Sequence, residues 1–319
     1  MRIDQDGKAV LDGASRAIIR SEAKLAYETV GPGDLSPDFP ELSRRIEQAE
    51  DARGAMRVDD PEQELVLGAD GQFSLAFRPQ LEAEQQNAAL SLAANLAIAD
   101  TLLAHHTGLF RIMAVPQPYA VDRLRHSAKA LGLSWPRHAT LEQFEATLDP
   151  SNPRHAAFRT AVRRAGPKAA YAPYTEGVVP WHSAMGATYA HATAPLRRLA
   201  DRYVIEAILQ IADGGSVSPE LSDIFERLPP VMARAEEKAG QIDRAVLDLA
   251  EAVMLEGSEG AQFNAVVTDV DERGARIQLS DPAVVSRVDG KGAMPGDTIK
   301  VELVSVDVAH RQVRFQRIT

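Results

Sequence analysis

The stretch Tyr189–Tyr203 reads YAHATAPLRRLADRY and places Arg197 and Arg198 in what its pattern predicts as the opening turn of a helix. Pro195 favours a helix start at this point. A cation is unfavourable at this end of the helix dipole, so an anionic ligand would explain the pair, because backbone N–H groups and guanidinium groups together make a phosphate site. The alternative is that both arginines are solvated or paired with Asp201. Helix physics alone leaves this choice open.

Apolar side chains after this stretch recur at spacings of three and four, which predicts one buried helix face that ends at Gly214-Gly215. Upstream, the pattern predicts a strand at residues 17–20, a helix from Ser21 that carries Tyr27, and a hairpin at residues 64–77. Asp6-Gly7 predicts a turn between two short strands. Further helices are predicted at residues 41–56, 82–105, 121–136 and 138–164, the last with Thr140 as a cap, then strands and turns at 166–181 and a helix introduced by Pro229-Pro230.

The pattern changes from helical to alternating near residue 257, which predicts short strands in the remaining part of the chain. Ile299, Val301 and Leu303 share one strand face, and Val313 and Phe315 share another. Short strands in about 60 residues indicate a small barrel of the OB type. The predicted fold class is therefore α+β, with a larger mixed domain at residues 1–257 and an all-β barrel at residues 258–319.

Composition limits the classes of protein that the chain can belong to. It has 319 residues, 45% of them hydrophobic, and no cysteine, which excludes disulfides, thiolate zinc sites and cysteine nucleophiles. No apolar run approaches the roughly 18 residues of a membrane span, and the polar N-terminus is unlike a signal peptide, so we expect a cytoplasmic protein without a membrane partner. The net charge of -10 argues against bulk coating of nucleic acid but allows a local basic channel.

The stretch YAHATAPLRRLADRY resembles the signature of the ribonuclease II-type family, whose catalytic part is the RNB domain. The family pattern is Tyr-x-His-x-Thr-x-Pro-x-Arg-Arg-x-x-Asp, and every fixed type is present. The resemblance implies a mixed sheet packed with helices, and a role for Arg197 as the catalytic arginine that stabilises charge on the scissile phosphate. It also implies substrate-binding roles for Tyr189, Thr193 and Arg198, and for His191, which would shape the site through hydrogen bonding.

A second element, Arg20–Tyr27, resembles the family's Arg-Ser-x-Ala-x-Leu-x-Tyr element. The resemblance implies that Tyr27 helps to seat the 3′-terminal nucleotide, where a ring stacks on any base. The alternative for Tyr27 is a packed helix residue. His182, which lies outside the signature, is either a proton carrier or phosphate donor, or a structural residue.

The long helix predicted at residues 82–105 also resembles the family, except at one place. Better-known members carry a pair of glutamates near the positions of Asn87, Ala88 and Ala89, where this chain has no acid. Glu84 lies one turn away and is a weak substitute, because an exposed helix charge explains it equally well. No glutamate role is therefore transferred to this helix.

The tail resembles the family's C-terminal OB-fold RNA-binding domain, the type named after a ribosomal protein. Such barrels bind single strands with aromatic platforms beside basic side chains. Residues 260–319 contain eight basic and eight acidic residues, and Phe263 and Phe315 are the only aromatics, both candidates for the core. We expect weak accessory RNA binding through Arg276, Lys300 and Arg314.

The resemblance implies a Mg²⁺-dependent 3′-to-5′ exoribonuclease that hydrolyses single-stranded RNA to nucleoside monophosphates. The family holds Mg²⁺ with an Asp-rich element upstream of the Arg-Ser-x-Ala-x-Leu-x-Tyr element. The twenty residues before Ser21 contain no Asp-x-Asp-Asp arrangement, so no metal ligand is assigned in this chain. We expect the chain alone to be inactive or very weak, and a separate chain that carries the Asp-rich segment is a candidate partner. The competing hypothesis is a non-catalytic RNA-binding or regulatory protein.

Overall fold

The computed structural model describes residues 1–31, 33–55, 63–68, 71, 73–77, 81–145, 147–148, 153–166, 168–279 and 284–318. The chain divides into two compact units by its internal contacts. The first unit contains residues 1–57, 80–115 and 167–236, and the second contains residues 58–79, 116–166 and 237–319. Both units mix helices and strands, so the fold class is α+β as the sequence predicts.

The described residues of the first unit form short strands and four helices, of which α2 (Glu82–Ala104), α6 (Leu199–Ala212) and α7 (Pro219–Leu255) contribute to the main apolar core. The hairpin of β1 (Arg2–Ile3) and β2 (Ala9–Val10) turns at Gly7, whose φ of 78° is a conformation that glycine adopts without strain. The core joins α2 to α6 and to the first part of α7 through Leu102, Val204 and Phe225. The elements are β1 (Arg2–Ile3), β2 (Ala9–Val10), α1 (Phe39–Ala52), α2 (Glu82–Ala104), β5 (Leu109–Ile112), β6 (Ala170–Pro173), β7 (Trp181–His182), β8 (Ala187–Thr188), α6 (Leu199–Ala212) and α7 (Pro219–Leu255), which continues into the second unit.

Helix α2 is long and apolar enough, by length and composition alone, to suit a membrane span. Its buried residues Ala99 and Leu102 pack in the main core, and Ala89 and Ala93 pack against Ile46 of α1. Core packing is therefore sufficient to account for the apolar composition of this helix.

The second unit contains a small helical core and a β-barrel. Trp135 stacks on Phe144 at 5.0 Å between ring centroids, and Phe158 meets both rings edge-on. Thr140 caps the short helix α4 by accepting a hydrogen bond from the Gln143 N–H at 3.2 Å, as predicted. The elements are β3 (Gln63–Leu67), β4 (Phe73–Phe77), α3 (Pro118–Ala130), α4 (Leu141–Glu145), α5 (Pro153–Ala165), β9 (Gln262–Asp271), β10 (Gly274–Leu279), β11 (Val285–Val288), β12 (Thr298–Asp307) and β13 (Gln312–Ile318).

The five strands β9 to β13 form a nearly closed antiparallel barrel in the order β11-β10-β9-β12-β13. Ile299, Val301, Leu303 and Phe315 are buried inside it, as the alternating pattern predicts. The barrel confirms an OB-type fold for the tail. The domain boundary near residue 257 stays a prediction.

The sequence prediction was wrong at residues 17–27, where the structure has neither strand nor helix. Ile18 and Ile19 are 104% and 89% exposed, so the β-forming side chains have no packing surface. Tyr27 lies in a turn that follows this irregular segment. β-propensity does not produce a strand without a neighbouring strand to pair with.

Two further predictions of helix starts were wrong. Helix α6 begins at Leu199, and Arg198 is its N-cap in extended conformation, so that Arg197 lies in the turn before the helix. The argument that two unfavourable cations in the first helical turn require an anionic ligand therefore does not apply. Pro229 and Pro230 lie inside α7, which begins at Pro219 and is one helix of 37 residues. The sequence analysis did not predict strand β5, which pairs with β6.

Candidate functional site

The signature Tyr189–Tyr203 folds as an irregular loop followed by the first turn of α6, in the first unit. Ala194 organises the turn, because its carbonyl accepts the N–H groups of Arg197 at 3.2 Å and Arg198 at 2.9 Å. Its own N–H donates to Asp201 Oδ2 at 2.8 Å. The turn is therefore tied to the helix that follows it.

Asp201 is completely buried and forms an ion pair with Arg198. Arg198 donates from Nε to Oδ1 at 2.9 Å and from Nη2 to Oδ2 at 2.8 Å, which is a two-point carboxylate–guanidinium contact. The sequence alternative of pairing with Asp201 therefore holds for Arg198. Its substrate-binding role stays a prediction, but the guanidinium already has a carboxylate partner.

Arg197 differs from Arg198 in its exposure and in its lack of a partner among the described residues. Its side chain is exposed, and within the described residues its guanidinium makes no ion pair or hydrogen bond. Leu196 beside it is 103% exposed. The turn therefore presents one free cation to solvent, as a phosphate contact requires.

Asn95 of α2 forms hydrogen bonds with the same loop. Its Nδ2 donates to the Tyr189 hydroxyl at 3.0 Å and lies 3.4 Å from the Thr193 Oγ1, and its Oδ1 accepts the Ala192 N–H at 2.9 Å. Asn95 is 2% exposed. Burial raises the pKa of the Tyr189 hydroxyl, so the group stays protonated.

His191 is part of the loop and bonds through Nδ1 to the Tyr171 hydroxyl at 2.8 Å. Arg111 covers the Tyr171 ring at 4.6 Å and forms an ion pair with Glu236 at 2.9 Å. Burial, followed by the charge of Arg198, lowers the pKa of His191 to about 3. His191 is thus neutral near pH 7, which suits a hydrogen-bonding role and not a proton carrier.

His182 packs edge-on against Tyr189 at 5.6 Å between ring centroids. Burial, followed by the charge of Arg111, lowers its pKa to about 4. Its Nδ1 is buried without a hydrogen-bond partner among the described residues. The structural role for His182 fits this environment better than proton transfer.

Tyr27 is 40% exposed and lies against the first turns of α2. Its hydroxyl accepts a hydrogen bond from Asn87 Nδ2 at 2.9 Å. Asn87 is one of the positions near which other family members carry glutamates, whereas Ala89 is buried against α1. The structure therefore brings Tyr27 to α2, although Tyr27 does not lie on a helix.

Two of the three basic residues predicted in the barrel, Arg276 and Lys300, are far apart. Arg276 pairs in register with Asp269 of β9, and Lys300 with Asn264 of the same strand. A five-residue offset along a strand corresponds to about 17 Å. Arg276, Lys300 and Arg314 therefore do not form one cluster.

A different basic group surrounds a groove of about 660 Å³ at one end of the barrel. Arg273, Arg287, Lys291 and Arg314 line it together with Asp271, Glu272 and Asp289. Arg287 is held by Asp271 at 2.7 Å. The sequence analysis included only Arg314 from this group, because the others come from turns and an edge strand that only the barrel brings together.

The described residues do not fit a magnesium site. No group of three or more His, Asp or Glu side chains among them could hold a metal ion. The one acid inside the signature, Asp201, is buried and already shared between Arg198 and the Ala194 N–H. Mg²⁺ needs several oxygen ligands that are open to it.

Sequence comparison adds the family to this geometry. The model of the RNB domain matches residues 1–213, which is more than half of the chain. The chain belongs to the RNB-domain family. The model of the RNase II-type exonuclease C-terminal S1 domain matches residues 261–318, the part that folds as the barrel.

Individual RNB-domain proteins resemble the chain at low identity. A protein named Ribonuclease R from Thermotoga maritima is 22% identical over 366 residues, which cover 99% of this chain and 51% of that protein. The structure of Mycoplasma genitalium RNase R in complex with ribose-methylated single-stranded RNA has a TM-score of 0.75 and 17% identity, and covers 88% of this chain and 49% of that one.

Yeast Ssd1, described as a pseudonuclease, has a TM-score of 0.58 and 16% identity, with 82% of this chain and 34% of that one covered. The chain thus spans about half the length of the Thermotoga and Mycoplasma proteins and about a third of the length of yeast Ssd1. These similarities show the shared fold.

Proposed function

We propose that this chain binds single-stranded RNA through Arg197 and forms the phosphate-binding part of a 3′-to-5′ exoribonuclease that releases nucleoside monophosphates. The observation that carries the proposal is the contrast within the signature. Arg198 is neutralised by Asp201, and Arg197 is exposed without a partner among the described residues. A fixed guanidinium of this kind contacts a phosphate and stabilises charge that develops on it.

Tyr27 supports the same proposal. Its ring is exposed, and its hydroxyl is held by Asn87, so the ring is available for stacking on a nucleobase. Stacking on a base is insensitive to base identity, which suits an enzyme that degrades RNA without sequence preference. The RNA-bound structure of Mycoplasma RNase R, which shares the fold, is consistent with this role.

Hydrolysis in the family uses Mg²⁺, which would activate water and stabilise the leaving oxygen. Since the described residues do not fit that ion, no step is assigned to it here, and the proposed contribution of this chain is binding and orientation of the phosphate. The aspartates would come from polypeptide outside these 319 residues, and a separate chain is one form of that partner.

The second candidate function is a non-catalytic RNA-binding or regulatory protein. The lack of a fitting acid cluster in the described residues favours it, and the fold is shared with a protein described as a pseudonuclease. Both candidates require RNA binding by this chain. They differ in whether the chain is part of an enzyme that hydrolyses RNA.

The test combines binding and hydrolysis of a 3′-accessible oligoadenylate. We expect the chain to bind it at low salt and Arg197→Ala to weaken binding about tenfold, with little or no degradation in Mg²⁺. Arg202→Ala, which removes an exposed arginine inside α6, is the matched control and should change binding less than twofold, a difference of roughly 0.4 kcal/mol.

Two outcomes would overturn parts of the proposal. If the chain degrades the oligoadenylate at ordinary enzyme rates and Arg197→Ala abolishes this activity, the chain contains its own metal ligands and the incomplete site is refuted. If wild type and Arg197→Ala bind the RNA equally, the phosphate role of Arg197 is refuted.

A further inference from the structure

Asn95 is an unusual residue for its position, because it is an amide among buried residues of α2 that are otherwise apolar. It is 2% exposed, and its neighbours on the buried side of α2 are alanines and leucines. Burial of an amide in such a place is costly unless its hydrogen-bonding groups are satisfied. Its presence therefore requires partners, and the structure shows where they lie.

Among the described residues, the side-chain hydrogen-bond partners of Asn95 all belong to the signature loop, residues 189–198. The side chain accepts the Ala192 N–H and donates to the Tyr189 hydroxyl, and Thr193 Oγ1 lies within 3.4 Å of the same Nδ2. One side chain thus holds three residues of the loop, from a helix almost one hundred positions earlier in sequence. Such a contact fixes the position of the loop relative to α2.

Asp201 holds the other end of the same loop. Its carboxylate accepts the Ala194 N–H at 2.8 Å and binds Arg198, so residue 192 is bonded to α2 and residue 194 is bonded to α6. The next turn of chain carries Arg197, whose N–H bonds back to the Ala194 carbonyl. The backbone of Arg197 is therefore linked to Asn95 through Ala192, Thr193 and Ala194.

We propose that Asn95 is a positioning residue that holds the turn of Arg197 in place for phosphate binding. It does not touch the phosphate itself and acts through Ala192, Thr193 and the turn at Ala194. The inference rests on the proposed function, because that function assigns phosphate binding to the turn. The restraint of the turn by Asn95 does not depend on RNA.

The restraint can be measured without RNA, because the chain contains no cysteine. Leu196→Cys introduces a single thiol at a fully exposed side chain next to Arg197, and a nitroxide label there reports the mobility of the turn. In this background Asn95→Leu keeps the side-chain size and removes every hydrogen bond. We expect a clear increase in label mobility in the electron paramagnetic resonance spectrum.

Leu102→Ala is the matched control, because Leu102 is a buried residue of the same helix that packs in the core and has a side chain without hydrogen-bonding groups. It should lower the melting temperature at least as much as Asn95→Leu and leave label mobility unchanged. Asn95→Asp should restore the spectrum partly, since a carboxylate accepts the Ala192 N–H and both hydroxyls can donate to it. Equal mobility in wild type and Asn95→Leu overturns the proposal, as does an equal increase in Leu102→Ala.

Should Asn95→Leu fail to fold, Tyr189→Phe removes one acceptor of Asn95 and leaves α2 intact. A smaller increase in mobility is then expected, and an unchanged spectrum overturns the proposal.

The link to Arg197 is tested in the unlabelled chain by a double-mutant cycle on oligoadenylate binding. Asn95→Leu should weaken binding roughly fivefold when Arg197 is present and less than about twofold in the Arg197→Ala chain. An equal loss in both backgrounds shows a general structural effect and overturns the positioning role. If the unmodified chain binds no RNA, the proposed function fails, and the label measurement still decides whether Asn95 restrains the turn.

Discussion

At the scale of single residues, the signature separates two neighbouring arginines by burial. Arg198 lies over a fully buried carboxylate, whereas Arg197 faces solvent. A buried ion pair adds little net stability compared with apolar residues, but removal of one partner leaves an uncompensated charge. Asp201 is therefore needed for the fold of the loop, and Arg197 is available for a ligand.

Asp201→Asn tests the structural half of this division. The substitution leaves Arg198 half-buried without its counter-charge, and we expect a loss of about 3 kcal/mol in the free energy of unfolding. Urea denaturation measures it, with Asp213→Asn at the exposed end of α6 as the control, which should change stability by less than about 0.5 kcal/mol. Equal effects of the two substitutions would contradict the role of Asp201.

The two buried histidines give the protein a specific pH dependence. Their pKa values fall to about 3 for His191 and about 4 for His182, whereas an unfolded histidine titrates near 6.5. The unfolded chain thus binds more protons below pH 6.5, so stability is complete above that pH and declines as the pH falls towards 4.

We expect roughly 2 kcal/mol per histidine to be lost between pH 7 and pH 5. The lowered pKa of Asp271, about 2 because of Arg287, affects stability only at lower pH. Thermal unfolding in this pH range measures the decline, and His182→Gln with His191→Gln should flatten it. A decline that is unchanged in the double variant would show that other groups cause it.

At the scale of elements, packing partners decided which sequence patterns became regular structure. The alternating pattern of β12 became a barrel strand because β9 and β13 lie on both sides of it. The segment at residues 17–20 has comparable β-propensity, but no strand pairs with it, and its isoleucines stay exposed. The proline pair in α7 is accommodated within a long helix, although an isolated helix would be broken there.

The barrel also leads to a prediction about RNA affinity. Lys291 and Arg314 line one groove, whereas Lys300 lies on β12 opposite Asn264 and outside the groove lining. Lys291→Ala with Arg314→Ala should weaken oligoadenylate binding about threefold to tenfold and reduce the salt dependence, with a slope change of about 0.7 per lost phosphate contact. Lys300→Ala is the single-site control. A larger effect of Lys300→Ala would place the accessory contact on the strand face.

At the scale of the whole molecule, the net charge is acidic, although basic side chains gather locally at the barrel groove. The net charge of -10 would repel RNA, so the proposed RNA binding requires local contacts, for which Arg197 and the barrel groove are the candidates. We therefore expect affinity that is weak and strongly reduced by salt.

Metal binding gives a test at the same scale. Since the described residues hold no acid cluster that fits Mg²⁺, 5 mM Mg²⁺ or an excess of EDTA should shift the melting temperature by less than about 1 °C. Differential scanning fluorimetry measures this shift, and lysozyme in the same buffers serves as a control for non-specific effects. A stabilisation of several degrees by Mg²⁺ would show that the chain contains a metal site.

The sequence by itself determined the family, the α+β class, the barrel and the order of most helices. These properties depend on local patterns, such as the dense signature at Tyr189–Tyr203 and the alternation of Ile299, Val301 and Leu303, which are present before any long-range contact forms. The sequence also nominated Arg197 and named Asp201 as a partner for the arginines.

Only the tertiary structure decided how these residues are used. It assigned Asp201 to Arg198, moved Arg197 out of the helix, and brought Asn95 and Asn87 of α2 to the loop and to Tyr27. These outcomes depend on which side chains meet across long sequence separations and on how much water reaches them. Burial fixes the charge state of His191 and the pairing of Arg198, and neither quantity is encoded in a local pattern.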